Sequence, residues 1–319
     1  MQIDLWYGRS QKFGHNGIPQ RWVNVLGRVW PVEQVQRLTA ALNDGPPLPL
    51  SLGRDKRRLA GPGDFNIDLD IRDLRSGENV VVITAVSTEG HTHSETVRLT
   101  YAPQPATLPF AIDWSAVDAI QDVAQVADGR WALTPGGISP QEIGYDRTVA
   151  LGEMSWRDVE VTVPITVHGI NAACYEYPSW HAGVGVVLRW KGHANWGSDG
   201  WASGQPRFGP SPYGAIGWYC IFQEHGAELN IFDPDFQRTA VQPRTLDWHR
   251  PYWFKVQVKT IGDIASRYRL KVWPCDEAEP GAWDLETIIE HIGYKEGAVL
   301  LVAHHVTAVF GNVSVQSIT

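Results

Sequence analysis

Apolar and polar positions alternate with a period of two along most of this chain, which is the pattern of half-buried β-strands. Trp22-Val23-Asn24-Val25-Leu26 alternates and stops at Gly27, and the run from Val35 to Leu42 closes on Asn43-Asp44-Gly45, a strong turn signal. Phe65-Asn66-Ile67-Asp68-Leu69-Asp70 alternates apolar residues with acids and an amide, which predicts one packed face and one face in water. Gly77-Glu78-Asn79 turns into VVVITAV, and Glu89-Gly90 turns into TVRLTY. Short strands between turns predict a small β-sandwich over residues 1–103.

Ala102-Pro103-Gln104-Pro105-Ala106 reads as a short, fairly stiff linker. The lead-in to residue 127 contains SAVDAIQDVAQV, which suits a short helix and an irregular segment equally. From residue 128 strands dominate: VEVTVPITVHG, HAGVGVVLRW, GAIGWYCIF, ELNIF, YWFKVQVKTI, SRYRLKVWP, VLLVAHH and GNVSVQSI. The one helix-like stretch is AWDLETIIEH. The expectation is therefore all-β: an N-terminal immunoglobulin-like sandwich over 1–103, a lead-in over 104–127, and a two-sheet jelly roll over 128–319.

Composition narrows the function. A net charge of −8 argues against nucleic acid, whose phosphates call for a basic surface. No transmembrane run and no signal peptide are visible, so the expectation is a soluble protein: cytoplasmic if Met1 is the native start, exported if a leader has been removed. Cys174, Cys220 and Cys275 lack the spacing of a zinc knuckle and read as free thiols. Fifteen tryptophans are more than a core needs, and point to a binding surface as well.

The stretch from Trp180 to Phe232 holds the densest chemistry. Trp180, Trp190, Trp196, Trp201, Tyr213, Trp218 and Tyr219 lie among His181, Arg189, His193, Arg207 and Glu224. Flat aromatic faces beside hydrogen-bonding groups suit a sugar, whose C–H face stacks while its hydroxyls take polar partners. Alternation puts His181, Gly183, Gly185, Val187 and Arg189 on one face, open to a ligand, and Val184, Val186, Leu188 and Trp190 against the opposing sheet. The same reasoning aims Gly217, Tyr219 and Gln223 at the open face and Ile216, Trp218, Cys220 and Phe222 inward; one bulge would invert this. Arg189 is a candidate fork for sugar hydroxyls or a carboxylate, and alternatively a structural ion pair at the sheet edge. Trp273 is a candidate outer stacking platform.

Glycosidic cleavage needs an acid and a base across the bond. Glu224, Glu228, His181 and His304 are the candidates, with Arg189, His193, Trp196, Trp201, Arg207, Tyr213, Tyr219, Gln223 and Trp273 holding substrate. Glu224 also reads as the solvated tip of a hairpin. His304 and His305 point to opposite faces of a strand, so only one serves the site. Nucleophile-elbow, phosphate-loop, HExxH and dinucleotide signatures are missing.

Two family resemblances add to this. LRSGENVVVITAVSTEGHTHSETVRLTY resembles the last hairpin of bacterial immunoglobulin-like modules, which often accompany carbohydrate-active domains. GYDRTVALGEMSWRDVEVTVPITVHG, YRLKVWPCDEAEPGAWDLE and GAVLLVAHHVTAVFGNVSVQ resemble successive pieces of concanavalin A-like, laminin G-like jelly rolls. The second resemblance implies a ligand site on the concave face and a structural calcium, for which Asp233, Asp235, Glu153 and Asp158 are candidates. It does not imply one activity, since the superfamily includes lectins, hydrolases and lyases. The E-x-D-x-x-E strand motif of its best-known endoglucanases is absent. The expected ligand is an oligo- or polysaccharide and no cofactor is required. The expected function is a glycoside hydrolase, with a non-catalytic lectin-like protein as the alternative.

Overall fold

The computed structural model describes residues 1–176, 179–193, 212–291 and 293–318. It is all-β, with short 3₁₀ turns as the only helical elements among the described residues. Among the described residues no helix is long and apolar enough to cross a membrane. Where the sequence left a helix open before residue 127, two 3₁₀ turns, Trp114–Ala116 and Ile120–Asp122, stand instead. The helix-like stretch near the C-terminus is an edge strand, Leu285–Glu290, paired with Ala265–Pro274. Leu285 and Ile289 face the core with a period of four, which both a helix and a strand satisfy.

Residues 2–101 build two small sheets. Gln2–Leu5, Trp22–Trp30 and Asp64–Asp70 form one, and Ser10–Phe13, Thr92–Tyr101, Gly77–Ser87, Val35–Leu42 and Leu48–Pro49 form the other. Their core holds Val25, Phe65, Ile67, Val81, Ile83, Val97 and Leu99. Two large antiparallel sheets form the rest, packed face to face as a jelly-roll sandwich. One has seven strands in the order Gln125–Asp128, Arg147–Leu151, Ala298–His304, His181–Trp190, Ala215–Phe222, Gly226–Phe232, Arg238–Pro243. The other has nine and is centred on Val159–Ile170, Tyr252–Thr260 and Ala265–Pro274. Val161, Val163, Phe254, Val256, Leu270, Val184, Val186, Tyr219, Leu229 and Leu301 fill the space between them.

The acid-and-amide face of Asp64–Asp70 is dry rather than wet: the whole strand is buried. It meets the edge of the seven-stranded sheet. Arg58 pairs with Asp128 and, at 3.2 Å, with Asp68, and its Nη2 also donates to the Ala127 carbonyl at 3.0 Å. Asn66 donates to the same carbonyl at 2.9 Å. Alternation marks a face as polar without saying whether water or a second sandwich satisfies it.

Two glycines on the central strand make room for an indole. Gly185 pairs directly with Trp218, and a Cβ on Gly185 would collide with Trp218 Cε3; one on Gly183 would collide with the backbone carbonyl of Tyr219. Gly185→Ala is expected to cost about 1–3 kcal/mol through overpacking. Trp218→Leu in the same chain should absorb that cost, while Gly183→Ala should find no such relief. Urea unfolding of the two double variants against their parents checks this, and equal penalties in both would contradict it.

Candidate functional site

Directly paired residues in neighbouring strands share a face, so register decides what the outer face of the seven-stranded sheet presents. His181 pairs with Phe222, Gly183 with His304 and Cys220, Cys220 with Glu228, Trp218 with Asn230. These residues form one surface. The His181 ring lies 5.4 Å from Phe222, 5.7 Å from Trp218 and 4.8 Å from His304, on which it stacks. Phe222 carries the Arg238 guanidinium 5.3 Å over one face and stacks with His225 at 4.4 Å. Arg238 pairs with Glu228 and donates from Nε to Asn230 Oδ1 at 3.0 Å. His181, Phe222 and Phe232 are half-buried, and Arg238 and His225 reach solvent. Burial, reinforced by His304, His305 and Arg238, pushes the His181 pKa well down, so the ring is neutral at pH 7.

The expected phase holds along His181–Val187 and then breaks. A bulge between Val187 and Trp190, with Arg189 at φ +55°, turns Arg189 inward and sends Trp190 to the outer face. Arg189 is fully buried and gives all its N–H groups to the protein. Nε donates to the Arg157 carbonyl, Nη1 to Ser266 Oγ and the Tyr294 carbonyl, and Nη2 to Asp158 and Thr260 Oγ1. This is the structural ion pair, not a sugar fork. The strand Ala215–Phe222 has the opposite phase to the expected one. Tyr219 lies in the core between the sheets with its hydroxyl accepting from Leu246 N at 3.2 Å, and Trp218 and Phe222 face outward. The register leaves no other choice, because Val184, which faces the core, pairs with Tyr219.

Other expected site residues are placed elsewhere. Tyr213 is buried, with its hydroxyl on the Asp233 carbonyl at 2.9 Å. His193 is buried against Asp128 at 2.8 Å, where the N-terminal sandwich docks, and its carbonyl takes the Trp22 indole N–H. Gln223 and Glu224 are exposed at the hairpin tip, so Glu224 has the solvated placement rather than an acid's pocket. Trp273 is on the nine-stranded sheet, 6.4 Å from Trp253 and within cation–π reach of Lys255 and Lys271, and does not share the surface around His181. Trp196, Trp201 and Arg207 lie outside the described residues. Of the four expected catalytic residues, His181 and His304 touch, and Glu228 lies on the same face three strands from His304, against Arg238. Reasoning from sequence missed Phe222, Arg238 and Asn230; the signal was the alternation Trp218-Cys220-Phe222, taken in the wrong phase.

The calcium candidates do not converge. Glu153 accepts from Ile18 N and Ala106 N, Asp158 from Thr260 N and Arg189, and Asp233 from Asp235 N and Gln237 N. Among the described residues no group of three metal-ligating side chains occurs. Cys174, Cys220 and Cys275 are free thiols, the first two buried.

No protein-family model matches the chain, and no curated protein matches its sequence significantly. Several solved structures align with it at low identity. The exoplasmic/lumenal domain of VIP36 in its Ca²⁺-bound form is 10% identical with a TM-score of 0.42, over 66% of this chain and 90% of that one. A GH43 protein from Bacillus licheniformis is 11% identical with a TM-score of 0.43, over 92% of this chain and 63% of that one. Winged bean acidic lectin, in complex with methyl-α-D-galactose, is 9% identical with a TM-score of 0.37, over 66% of this chain and 93% of that one.

Proposed function

We propose that the chain binds a saccharide on the half of the seven-stranded sheet's outer face that the N-terminal sandwich leaves open. The observation that carries the reading is one continuous surface: the half-buried rings of His181, Phe222 and Phe232, bordered by Arg238, which the buried Glu228 and Asn230 anchor. Rings of this kind stack on a pyranose C–H face, and a neutral imidazole and the solvent-reaching Arg238 guanidinium supply donors and an acceptor for hydroxyls, with the buried Glu228 and Asn230 holding that guanidinium in place. Phe222→Ala and Arg238→Ala are each expected to weaken binding at least ~10-fold, the order of a lost stacking or charged hydrogen-bond contact. Immobilised plant, bacterial and fungal glycans read this directly. Failure of the unaltered protein to bind any of them would end the proposal.

Glycosidic cleavage is the second reading, favoured by Glu228 lying on the same face as His181 and His304. It requires Glu228 to trade its Arg238 partner for a substrate, and Glu224 takes no part. Reducing-end release that survives Glu228→Gln would rule it out. Residues 1–103 are, on this proposal, an immunoglobulin- or fibronectin-like spacer. In chain order its strands divide as first-third-sixth and second-eighth-seventh-fourth-fifth, with the second parallel to the eighth, which supports that reading. The segment 104–127 is then part lead-in and part jelly roll, since Phe110–Ile112 and Gln125–Asp128 pair with strands of the large sheets.

A further inference from the structure

His304 has a second set of partners that saccharide binding does not use. Its Nδ1 lies 2.7 Å from Asp146 Oδ1, and its Nε2 lies 2.5 Å from Ser179 Oγ. A hydroxyl, an imidazole and a carboxylate thus stand in line, with the carboxylate on one ring nitrogen and the hydroxyl on the other. Ser179 Oγ also reaches the His181 carbonyl at 3.1 Å. With the Nδ1 proton directed at Asp146, Nε2 is left free to take the hydroxyl proton when Ser179 turns it from that carbonyl to the ring. All three side chains are buried.

Two independent observations mark the place as more than a buried hydrogen-bond chain. Asp146 and His305, which flank His304 across the sheet and along the chain, both hold left-handed backbone at φ +39° and +54°. Non-glycine residues in that region cost energy and collect at functional sites. His305, only 8% exposed, has neither ring nitrogen hydrogen-bonded within the described structure, although its ring packs 4.8 Å from that of His304. Burial lowers its pKa to about 4, so it is a neutral polar group beside the cluster.

We propose that Asp146, His304 and Ser179 form an acyl-transfer site that hydrolyses a small carboxylic ester. Ser179 Oγ attacks the acyl carbon as its proton passes to His304 Nε2. The C–O bond to the alcohol breaks and the alcohol leaves with that proton. Water, deprotonated by the same nitrogen, then attacks the acyl-serine, releases the acid and returns Ser179 to its hydroxyl form. Ester and water are consumed, acid and alcohol are formed, and no oxidant or metal is needed. The burial of Ser179, 3% exposed, restricts the acyl group to a small one such as acetyl. His181 stacks on the outer side of the His304 ring, so the saccharide surface adjoins this site and a sugar is a fitting alcohol. Only that last identification rests on the saccharide reading.

The test uses the full chain with two probes that contain no sugar, p-nitrophenyl acetate and a small fluorophosphonate. The expected result is stoichiometric phosphonylation, located by peptide mass at Ser179, together with ester hydrolysis that falls at least ~100-fold in both Ser179→Ala and Asp146→Asn. Asp146→Asn should also slow phosphonylation of the intact serine, which loss of a merely structural contact would not do in a chain with an unchanged melting transition. Glycan binding by Ser179→Ala should equal that of the unaltered protein, so the two proposals fail separately. Absence of labelling in the unaltered chain, labelling at another residue, or hydrolysis indifferent to Ser179→Ala would overturn the assignment.

Discussion

Asp128→Asn is expected to cost about 3–5 kcal/mol, enough to threaten a protein of ordinary stability. The carboxylate is fully buried where the N-terminal sandwich meets the seven-stranded sheet. It pairs with Arg58, accepts from Thr148 Oγ1 at 2.7 Å, and faces His193 Nε2 at 2.8 Å. Asparagine keeps the shape and removes the charge, which leaves the buried Arg58 guanidinium with Asp68 as its acidic partner. Burial alone would raise the pKa of Asp128, but the Arg58 and His193 charges outweigh it and hold the carboxyl well below the usual carboxylate range. A folded-state value below the unfolded one means that stability is fully present above pH ~4 and is lost as the pH falls from there toward the folded value. The variant should therefore be less stable at pH 7 and less sensitive to acid below pH ~4. Arg58→Met combined with Asp128→Asn should cost less than the two changes summed, because each single change strands a charge that the double change does not. Guanidinium midpoints at pH 7 and pH 3 measure all of this. A single variant within ~0.5 kcal/mol of the parent would show that the pair contributes nothing.

The period-two pattern carried most of the fold, because strand alternation is a local property and survives whatever packs against it. It did not carry what lies across a face. Asn66 and Asp68 alternate as surface residues do, yet Asp68 meets Arg58 from the preceding loop and Asn66 meets Ala127 and Asp128 from far along the chain. The site was legible as a neighbourhood and not as a surface. His181 and His304 are in ring contact and Glu228 lies on the same sheet face three strands from His304, while Tyr219 and Phe222 lie on the faces opposite to those expected. Composition alone sets the strand phase the wrong way, because the bulk of Trp218 makes it read as a core residue. In fact the two glycines opposite it, Gly183 and Gly185, let a large indole lie flat on the outer face. Ser179 gave no signal at all, because a lone serine in a loop has no pattern until a histidine from residue 304 is folded against it.

Arg189→Lys is expected to destabilise the chain by about 3 kcal/mol or more while leaving saccharide binding by the folded fraction unchanged. The guanidinium fork reaches two carbonyls, two hydroxyls and Asp158 from a position with no exposed surface. Lysine has three donors on one atom and cannot span those directions, so buried acceptors go unpaired at roughly 1–3 kcal/mol each. Asp158 is partly exposed and still accepts from Thr260 N at 2.8 Å, so water can offset some of its loss. The bulge adds a second constraint. Gly297 sits against the Arg189 backbone so closely that a Cβ there would collide with it, and Gly297→Ala should therefore lower stability in the same region. A binding role predicts the reverse order: a lysine in place of Arg189 would keep a positive charge, preserve stability and weaken the sugar complex. Urea unfolding and glycan titration on the same preparation separate the two, and a stable Arg189→Lys protein with weakened binding would return this residue to the ligand surface and undo the inward turn assigned to the bulge.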